Sequence, residues 1–194
     1  MNDAVVHGFP TDYALKEGDI VSVDCGVLLN GYHSDSAYTF AIGEVSSKVQ
    51  KLMKVTKECL YRGIEYAVTG KRVGDIGYAV QSYAESNSFS VVRELVGHGL
   101  GRDLHEEPEV PNYGKRGNGS VLKENTVIAI EPMINLGKRE VKTLKDGWTV
   151  ATRDGSPSAH YEHTVVVRNN KAEVLTTFEF VEIEMKSNKN LTHI

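Results

Sequence analysis

Two aspartates flank the turn of a predicted β-hairpin in the stretch GDIVSVDCGVLLNGYHSDSAYTF. The Asn-Gly dipeptide at 30–31 is best suited to a two-residue type I′ turn, which makes Asp24 oppose Ala37. That register places Asp24 and Asp35 on one face as diagonal neighbours. Carboxylates so close repel each other and lose hydration, and a metal ion between them would remove both costs. The hairpin therefore predicts a metal site; the alternative is that one aspartate faces solvent or caps a turn.

Two glutamates and a histidine are further candidates for such a site. Glu131 follows the apolar run VIAI, and Glu162 stands just ahead of HTVVV, so both carboxylates are predicted at buried strand positions that need a partner. Each glutamate alone could instead pair with a lysine or an arginine. His98 lies between glycines in VGHGLGRDLHEEP, where the backbone can approach closely and the ring can project freely. One imidazole among carboxylates favours Mn²⁺, Fe²⁺, Co²⁺ or Zn²⁺ over Mg²⁺ or Ca²⁺.

The other histidines carry less specific signals. His105 follows His98 after one loop. His33 and His163 are predicted to be ordinary surface or core residues. His160 shares a strand face with Glu162, which favours a supporting role behind the metal ligands.

Composition excludes several classes of function. The chain has 194 residues, 40% of them hydrophobic and 25% charged, which is the balance of a soluble globular domain. A net charge of −4 and a pI near 6.0, without a basic block, argue against a dedicated nucleic-acid binder. No apolar run reaches membrane-spanning length. Cys25 and Cys59 form neither a disulfide framework nor a paired metal motif, which favours a reducing compartment and predicts a cytoplasmic protein.

The hydrophobic pattern predicts the elements that must position these residues. Apolar residues at helical spacing predict one helix over 46–70, ended by Gly70, and a second over 73–87. Strands are predicted in VIAIEPMIN, WTVAT, HTVVV and AEVLTTF. The order of strands, two helices and strands predicts one α+β domain over 1–194, with helices packed on an antiparallel sheet. The end of the chain, 186–194, is predicted to be a polar tail.

The five candidate ligands occur in the order Asp, Asp, His, Glu, Glu, which resembles the dinuclear metal site of the methionine aminopeptidases and their pita-bread relatives. The strings around them narrow the resemblance to the type I enzymes of peptidase family M24. They are HGFP, VDCGVLLNGYHSD, GHGLGRDLHEEPEVPNYG, IEPMIN and DGWTVATRDGSPSAHYEHTVVV. The likeness runs from Val5 to the strand around Leu175. The type II enzymes carry a helical insertion between the two glutamates, and the short stretch from Glu131 to Glu162 leaves no room for it.

The resemblance implies a pita-bread fold and hydrolysis with two divalent metal ions, of Co, Mn, Fe or Zn. The metal ligands that it implies are Asp24, Asp35, His98, Glu131 and Glu162. It also implies that Glu131 relays a proton, that His105 stabilises the tetrahedral oxyanion, and that His7 contacts the scissile amide and helps to protonate the leaving nitrogen. The catalytic residues that it implies are thus His7, His105 and Glu131.

The implied substrate-binding residues are His7, His105, Leu104 and Trp148. Trp148 and Leu104 match positions that line a pocket for methionine, whose thioether packs well against aromatic rings. Leu104 stands where the family usually has an aromatic residue, and His160 replaces the more usual glutamine. We expect these two changes to alter the shape of the pocket and to leave the chemistry unchanged.

The implied function is removal of the initiator methionine from nascent proteins when the second residue is small. The implied partners are the N-termini of nascent polypeptides, including those at the ribosome, with no direct contact to nucleic acid or membrane, and the implied state is a monomer. One alternative is an Xaa-Pro aminopeptidase or prolidase, since these enzymes use the same five ligands. The others are a binding module of the same fold, such as a ribosome-associated factor, and an inactive truncated fragment.

The opening MNDAVVHGFP resembles the interior of a family domain. Family members have two helices and a strand ahead of the His-Gly string, and these are missing before His7, so the first half of the fold is expected to be incomplete. One face of the first half-sheet should then be bare, with an unpaired strand edge beside it. We expect the chain to be less stable and less soluble than a longer relative.

Overall fold

A computed structural model describes residues 1–192, and the predicted order of strands, two helices and strands is confirmed. The helices are α1 (Ser47–Ile64), α2 (Val73–Ser86) and α3 (Glu179–Ser187). The strands ahead of α1 are β1 (Ala4–Val6), β2 (Ile20–Asp24), β3 (Val27–Leu29), β4 (Tyr32–Ser34) and β5 (Ala37–Ile42). Those between α2 and α3 are β6 (Ser90–Val91), β7 (Gly97–Gly99), β8 (Glu106–Val110), β9 (Val127–Ile130), β10 (Met133–Asn135), β11 (Val141–Thr143), β12 (Val150–Thr152), β13 (Ser158–His160), β14 (His163–Val166) and β15 (Glu173–Val174), and β16 (Leu191–Thr192) follows α3.

The described strands form five small sheets in which the strand pairs are antiparallel, as predicted for this α+β fold. The largest has the order β15-β14-β9-β7-β8. Three sheets have three strands each, in the orders β13-β10-β6, β16-β5-β2 and β1-β12-β11, and β3 pairs with β4. The helices α1 and α2 pack against each other and share one apolar core with strands of these sheets. No helix within residues 1–192 is long and apolar enough to cross a membrane.

The predicted hairpin register is confirmed. Asn30 and Gly31 adopt positive φ angles of 52° and 80°, as a type I′ turn requires, and Asp24 opposes Ala37. The ladder is interrupted part-way, because residues 25–26 and 35–36 belong to no strand. The hairpin is therefore two ribbons joined at a break, and Asp35 lies in that break.

The prediction that VIAIEPMIN is one strand is wrong. Pro132 has no N–H to give to a ladder, and the chain divides at Glu131–Pro132 into β9 and β10, which belong to different sheets. The segment that pairs with it, 158–166, is also interrupted. It divides at Tyr161–Glu162 into β13 and β14. Because β9 pairs with β14 and β10 pairs with β13, the two breaks face each other.

The first helix is shorter than predicted, and the second agrees with the prediction. The six apolar residues expected on the inner face of the first helical segment are all buried: Val49, Leu52, Met53, Leu60, Ile64 and Ala67. However, α1 ends at Ile64, because the N–H groups of Tyr66 and Ala67 bond three residues back and tighten the last turn. Gly70, which was expected to end the helix, adopts a φ of 85° in the following turn.

The region expected to be a polar tail contains the end of α3 and the strand β16. Leu191 and Thr192 pair with β5, and Phe178, just ahead of α3, is buried against the rings of Tyr38 and His163 at centroid distances of 4.9 and 3.9 Å. Lys57 of α1 also pairs with Glu182 of α3. The last two residues of the expected tail, His193 and Ile194, lie outside the described residues.

Apolar side chains are exposed on the hairpin. The hairpin ribbon β3–β4 leaves Leu28 and Leu29 61% and 69% exposed, and Val23 on the neighbouring β2 is 51% exposed. In the sheet β16-β5-β2 the strand β2 is an edge strand. An exposed apolar ribbon beside an open edge is a site where association with other chains is favoured.

We expect Phe178→Ala to lower the free energy of unfolding by about 3 kcal/mol, because the substitution leaves a cavity among buried rings. Phe180→Ala is the matched control, since Phe180 lies two residues further along and is 72% exposed, so its loss should change stability by less than about 0.5 kcal/mol. Urea unfolding of both variants measures the difference. Equal effects would show that the C-terminal segment does not pack as described.

Candidate metal and catalytic site

The four acidic candidates all lie where a strand ends or breaks. Asp24 is the last residue of β2, and Asp35 lies between β4 and β5. Glu131 lies between β9 and β10, and Glu162 lies between β13 and β14. A residue in such a gap is released from the in-and-out alternation of a strand, so neighbouring acidic side chains can converge on one point.

Hydrogen bonds fasten the break in the hairpin to the break at Glu162. The Glu162 N–H donates to the carbonyl of Ala37 at 2.9 Å, and the Ser36 hydroxyl donates to the carbonyl of Glu162 at 3.1 Å. The Thr164 hydroxyl accepts from the Asp35 N–H at 2.9 Å and lies 2.7 Å from its carbonyl oxygen, to which it donates. These contacts set the position of Asp35 relative to Glu162, although 127 positions in the sequence separate the two residues.

His98 occupies the centre of β7 and presents one defined nitrogen to the acids. Gly99 is required beside it, because a Cβ there would collide with the carbonyl oxygen of Glu107. His98 Nδ1 lies 2.9 Å from the carbonyl oxygen of Gly99, an acceptor that assigns the ring proton to Nδ1. The other nitrogen, Nε2, keeps its lone pair and lies 3.6 Å from Glu131 Oε1. His98 is therefore arranged as a metal ligand would be.

Three of the five candidate ligands meet in one buried cluster, Glu131 lies next to it, and the exposed Asp24 interacts electrostatically with Asp35 and Glu131. Ligand atoms of Asp35, His98 and Glu162 all lie within 4.8 Å of one another. Glu131 joins them through His98, and its main-chain carbonyl accepts a hydrogen bond from the Asn112 side chain at 3.0 Å. Within residues 1–192, Glu162 Oε1 is buried without a hydrogen-bond partner. A buried carboxylate oxygen without a donor is costly, and coordination to a cation would satisfy it.

The electrostatics of the cluster also fit a cation. Burial raises the pKa of Glu162 well above its usual value, and the negative charges of Glu131, Asp35 and Asp24 raise it further. Loss of hydration and the charges of Asp35 and Glu131 raise the pKa of Asp24 to about 6, against an opposing effect of His160. The ionised forms of Glu162 and Asp24 are therefore disfavoured unless positive charge lies beside them. Three or more carboxylates with one imidazole suit a divalent transition metal ion.

His7 is held at the edge of the cluster in an uncommon backbone conformation. Its φ is 62°, in the left-handed region, which is unfavourable for a residue with a side chain. The Thr149 hydroxyl donates to the His7 carbonyl at 3.2 Å, and the His7 ring stacks on Trp148 at a centroid distance of 5.1 Å. Asp146 holds this turn by accepting bonds from the N–H groups of Trp148 and Thr149, both at 2.9 Å.

The surroundings of His7 link it to the other candidates. Desolvation lowers the pKa of His7, the nearby His160 and His105 lower it further, and the charge of Glu131 opposes them. The ring of His105 meets that of His98 edge-on at a centroid distance of 4.4 Å. His7 therefore interacts electrostatically with His105 and Glu131, the two other predicted catalytic residues.

The two predicted pocket residues flank the cluster at different places. Leu104 lies beside Gly26, whose ideal Cβ position is 3.7 Å from Leu104 Cδ1 and 3.8 Å from Asp35 Oδ1. Trp148 lies beside His7 and is 56% exposed.

The two histidines predicted to be ordinary residues lie outside the cluster. His163 is buried in the core, where its Nδ1 lies 2.7 Å from the Thr176 hydroxyl. The main-chain N–H of His33 donates to the carbonyl of Gly101 at 2.7 Å.

The sequence reasoning missed the residues that hold the candidates in place. They are Ser36, Asn112, Asp146, Thr149 and Thr164. Thr164 had a detectable signal, because a hydroxyl inside the apolar run HTVVV is an isolated polar group that needs a partner. The others occur in loops, where small polar residues are too common to indicate a role.

Comparison with known proteins identifies the family. The profile described as metallopeptidase family M24 matches residues 1–169. The chain belongs to this family. It is 55% identical to the methionine aminopeptidase of Clostridium perfringens over 176 residues, which are 91% of this chain and 71% of that protein. It is 51% identical to methionine aminopeptidase 1 of Bacillus subtilis, again over 91% of this chain and 71% of the relative.

Solved structures agree with this family assignment and with the pita-bread fold. The methionine aminopeptidase of Thermotoga maritima superposes with a TM-score of 0.89 at 46% identity, covering 91% of this chain and 71% of that one. The prolidase of Pyrococcus furiosus superposes with a TM-score of 0.70 at 26% identity, covering 90% of this chain and 46% of that one. The chain is thus more similar to the methionine aminopeptidase than to the prolidase, in sequence and in structure.

We expect Glu162→Gln to make the metal-free protein more stable and to weaken its stabilisation by metal. The native state holds a proton on Glu162 that the unfolded chain releases above the ordinary glutamate pKa of 4.5, so wild-type stability falls as pH rises above that value. Glutamine removes this loss. At pH 7.5 the metal-free variant should melt about 2–4 °C higher, the shift that 1 kcal/mol gives in a domain of this size.

Thermal melts with and without Mn²⁺ test the prediction. Mn²⁺ should raise the melting temperature of the wild type more than that of the variant, because a ligand that binds only the native state stabilises it. The exposed Glu184→Gln is the control and should behave as wild type in both conditions. A metal-free Glu162→Gln that melts below the wild type would contradict the electrostatic account.

Proposed function

We propose that this chain is a metal-dependent methionyl aminopeptidase that removes the initiator methionine from proteins whose second residue is small. The observation that carries the proposal is the convergence of Asp35, His98 and Glu162, with Glu131 3.6 Å from His98 and a buried Glu162 oxygen left without a donor. Relatives 46–55% identical to the chain are named methionine aminopeptidases, which supports the choice of substrate.

We propose that the metal centre is dinuclear and contains Mn, Fe, Co or Zn. Its ligands would be Asp24, Asp35, His98, Glu131 and Glu162. Bound divalent cations supply Lewis-acid polarisation of the scissile carbonyl and a nucleophile at neutral pH. The carboxylates match the charge of two such ions, and the single imidazole favours these metals over Mg²⁺ or Ca²⁺.

The chain's own residues would supply proton transfer and charge stabilisation. Glu131 would take the proton of the attacking water on a carboxylate oxygen. His105 would donate a hydrogen bond to the oxygen of the tetrahedral intermediate, since its ring lies beside His98. His7 would hydrogen-bond to the scissile amide and help to protonate the leaving nitrogen, with the proton that Glu131 took from the water as its source. The lowered pKa of His7 favours the neutral ring before that transfer.

Leu104 and Trp148 would bind the methionine side chain. A flexible thioether suits a pocket with one aliphatic and one aromatic wall, because sulfur packs favourably against aromatic rings. Because the ring of His7 stacks on Trp148, the methionine pocket would lie next to the histidine that contacts the scissile amide.

The proposed partners are the N-termini of nascent polypeptides, including those still at the ribosome. We propose that the chain acts as a monomer in the cytoplasm, where initiator methionine is exposed, and that it makes no direct contact with nucleic acid or membrane. The net charge of −4 and the pI near 6.0 support the absence of a nucleic-acid partner.

We expect the Mn²⁺- or Co²⁺-loaded chain to hydrolyse Met-Ala-Ser and to leave Xaa-Pro peptides of the same length intact. Release of free methionine or of the Xaa residue, measured by chromatography, distinguishes the two activities. Preference for Xaa-Pro peptides would favour the prolidase-like alternative. Metal binding without turnover of either peptide would favour a binding module or an inactive chain.

We expect His105→Ala to lower kcat for Met-Ala-Ser about 10²–10³-fold with a smaller change in KM, because a donor to the oxyanion acts in the transition state. His33→Ala is the control, since the contact of His33 described above is made by its main chain, and it should leave kcat unchanged. Steady-state kinetics at saturating Mn²⁺ measure both variants. A His105→Ala variant with wild-type kcat would remove His105 from the proposed mechanism.

A further inference from the structure

His160 is a buried imidazole whose ring lacks a hydrogen-bond partner. Its residue is 1% exposed, and within residues 1–192 neither Nδ1 nor Nε2 makes a hydrogen bond. Two unsatisfied polar atoms on one buried ring are costly, and such groups are rare in native proteins. The ring therefore needs an explanation that packing does not provide.

Hydrogen bonds hold the backbone that carries this ring. The His160 N–H donates to the Thr39 hydroxyl at 2.9 Å, and the Thr39 hydroxyl lies 2.7 Å from the His160 carbonyl oxygen, to which it donates. Ser22 lies 2.9 Å from the same hydroxyl, and His160 pairs with Met133 across the sheet. Contacts on both sides thus hold the backbone at His160 in place.

The ring faces Glu131. His160 Nε2 lies 3.6 Å from Glu131 Oε2, while His98 Nε2 lies 3.6 Å from Glu131 Oε1. The carboxylate is therefore bracketed by two imidazoles, one at each oxygen. Because the ring proton of His98 is held at Nδ1 by the Gly99 carbonyl, the neutral His98 ring cannot donate to Glu131 from Nε2. The two imidazoles must act differently.

His160 is not held in the tautomer of His98. A proton on Nδ1 would leave a buried N–H without an acceptor and would set the Nε2 lone pair against a carboxylate oxygen. A proton on Nε2 instead points a donor at Glu131 Oε2. Both the Nε2–H tautomer and the doubly protonated ring provide this donor, so the argument does not depend on the charge of His160.

We propose that His160 is a positioning residue that donates a hydrogen bond from Nε2 to Glu131 Oε2 and turns Glu131 Oε1 towards the metal ions. Outer partners of this kind orient a ligating carboxylate and strengthen metal binding about 10–100-fold. The proposal rests on the proposed function in one respect, namely that Glu131 is a metal ligand.

The test measures Mn²⁺ binding to the metal-free chain by isothermal titration calorimetry in four forms. His160→Leu removes the donor, and we expect its Kd for Mn²⁺ to rise about 10–100-fold. His160→Gln restores an N–H donor, and its Kd should stay within about 3-fold of wild type. His163→Leu is the matched control, because it also removes a buried imidazole but one bonded to Thr176, and its Kd should be unchanged.

The outcomes separate this inference from the proposed function. A wild-type Kd in His160→Leu, or a loss in His160→Gln as large as that in His160→Leu, would overturn the positioning role. A wild-type chain that binds no Mn²⁺ would overturn both proposals. If the expected order of Kd values appears while the wild type releases no methionine from Met-Ala-Ser, the proposed activity fails and the role of His160 stands. The absorption spectrum of the Co²⁺-loaded proteins is a second readout and should change in His160→Leu alone.

Discussion

The mutual repulsion of four clustered carboxylates is the constraint around which this molecule is built. Asp24, Asp35, Glu131 and Glu162 are brought together at strand ends and breaks, where loss of hydration and like charges raise the pKa of Asp24 and Glu162. Such a cluster opposes folding, so it persists only because the surrounding contacts over-determine it. Bound cations would supply the compensating charge. The carboxylates that bind the cations therefore lower the stability of the metal-free protein.

The breaks in the strands are the means by which the fold tolerates the cluster. A continuous strand would alternate its side chains between two faces, and only a change of sheet lets acids from paired segments meet. Pro132 forces one break because it has no N–H, and hydroxyls of Ser36 and Thr164 occupy backbone groups at the opposing ones. The apolar core beneath, which α1 and α2 share with the strands, keeps these breaks in register.

Two histidines on either side of Glu131 differ in what holds them. His98 is oriented through its ring, by the carbonyl of Gly99, whereas the backbone at His160 is held by the hydroxyl of Thr39. The first arrangement exposes a lone pair and the second can expose a donor. The two rings thus differ in that His98 Nδ1 has a hydrogen-bond acceptor, whereas within residues 1–192 the ring of His160 has no hydrogen-bond partner.

The sequence by itself determined the hairpin register, the presence of both early helices and the antiparallel α+β class, and it indicated the candidate ligands. These follow from local chemistry: an Asn-Gly turn, apolar residues at helical spacing, and charged residues inside apolar runs. Only the tertiary structure decided that VIAIEPMIN divides between two sheets, that 178–192 packs back onto α1 and β5, and that His160 faces Glu131. These features depend on contacts between segments far apart in the chain, and a local pattern carries no information about which distant segment supplies the partner.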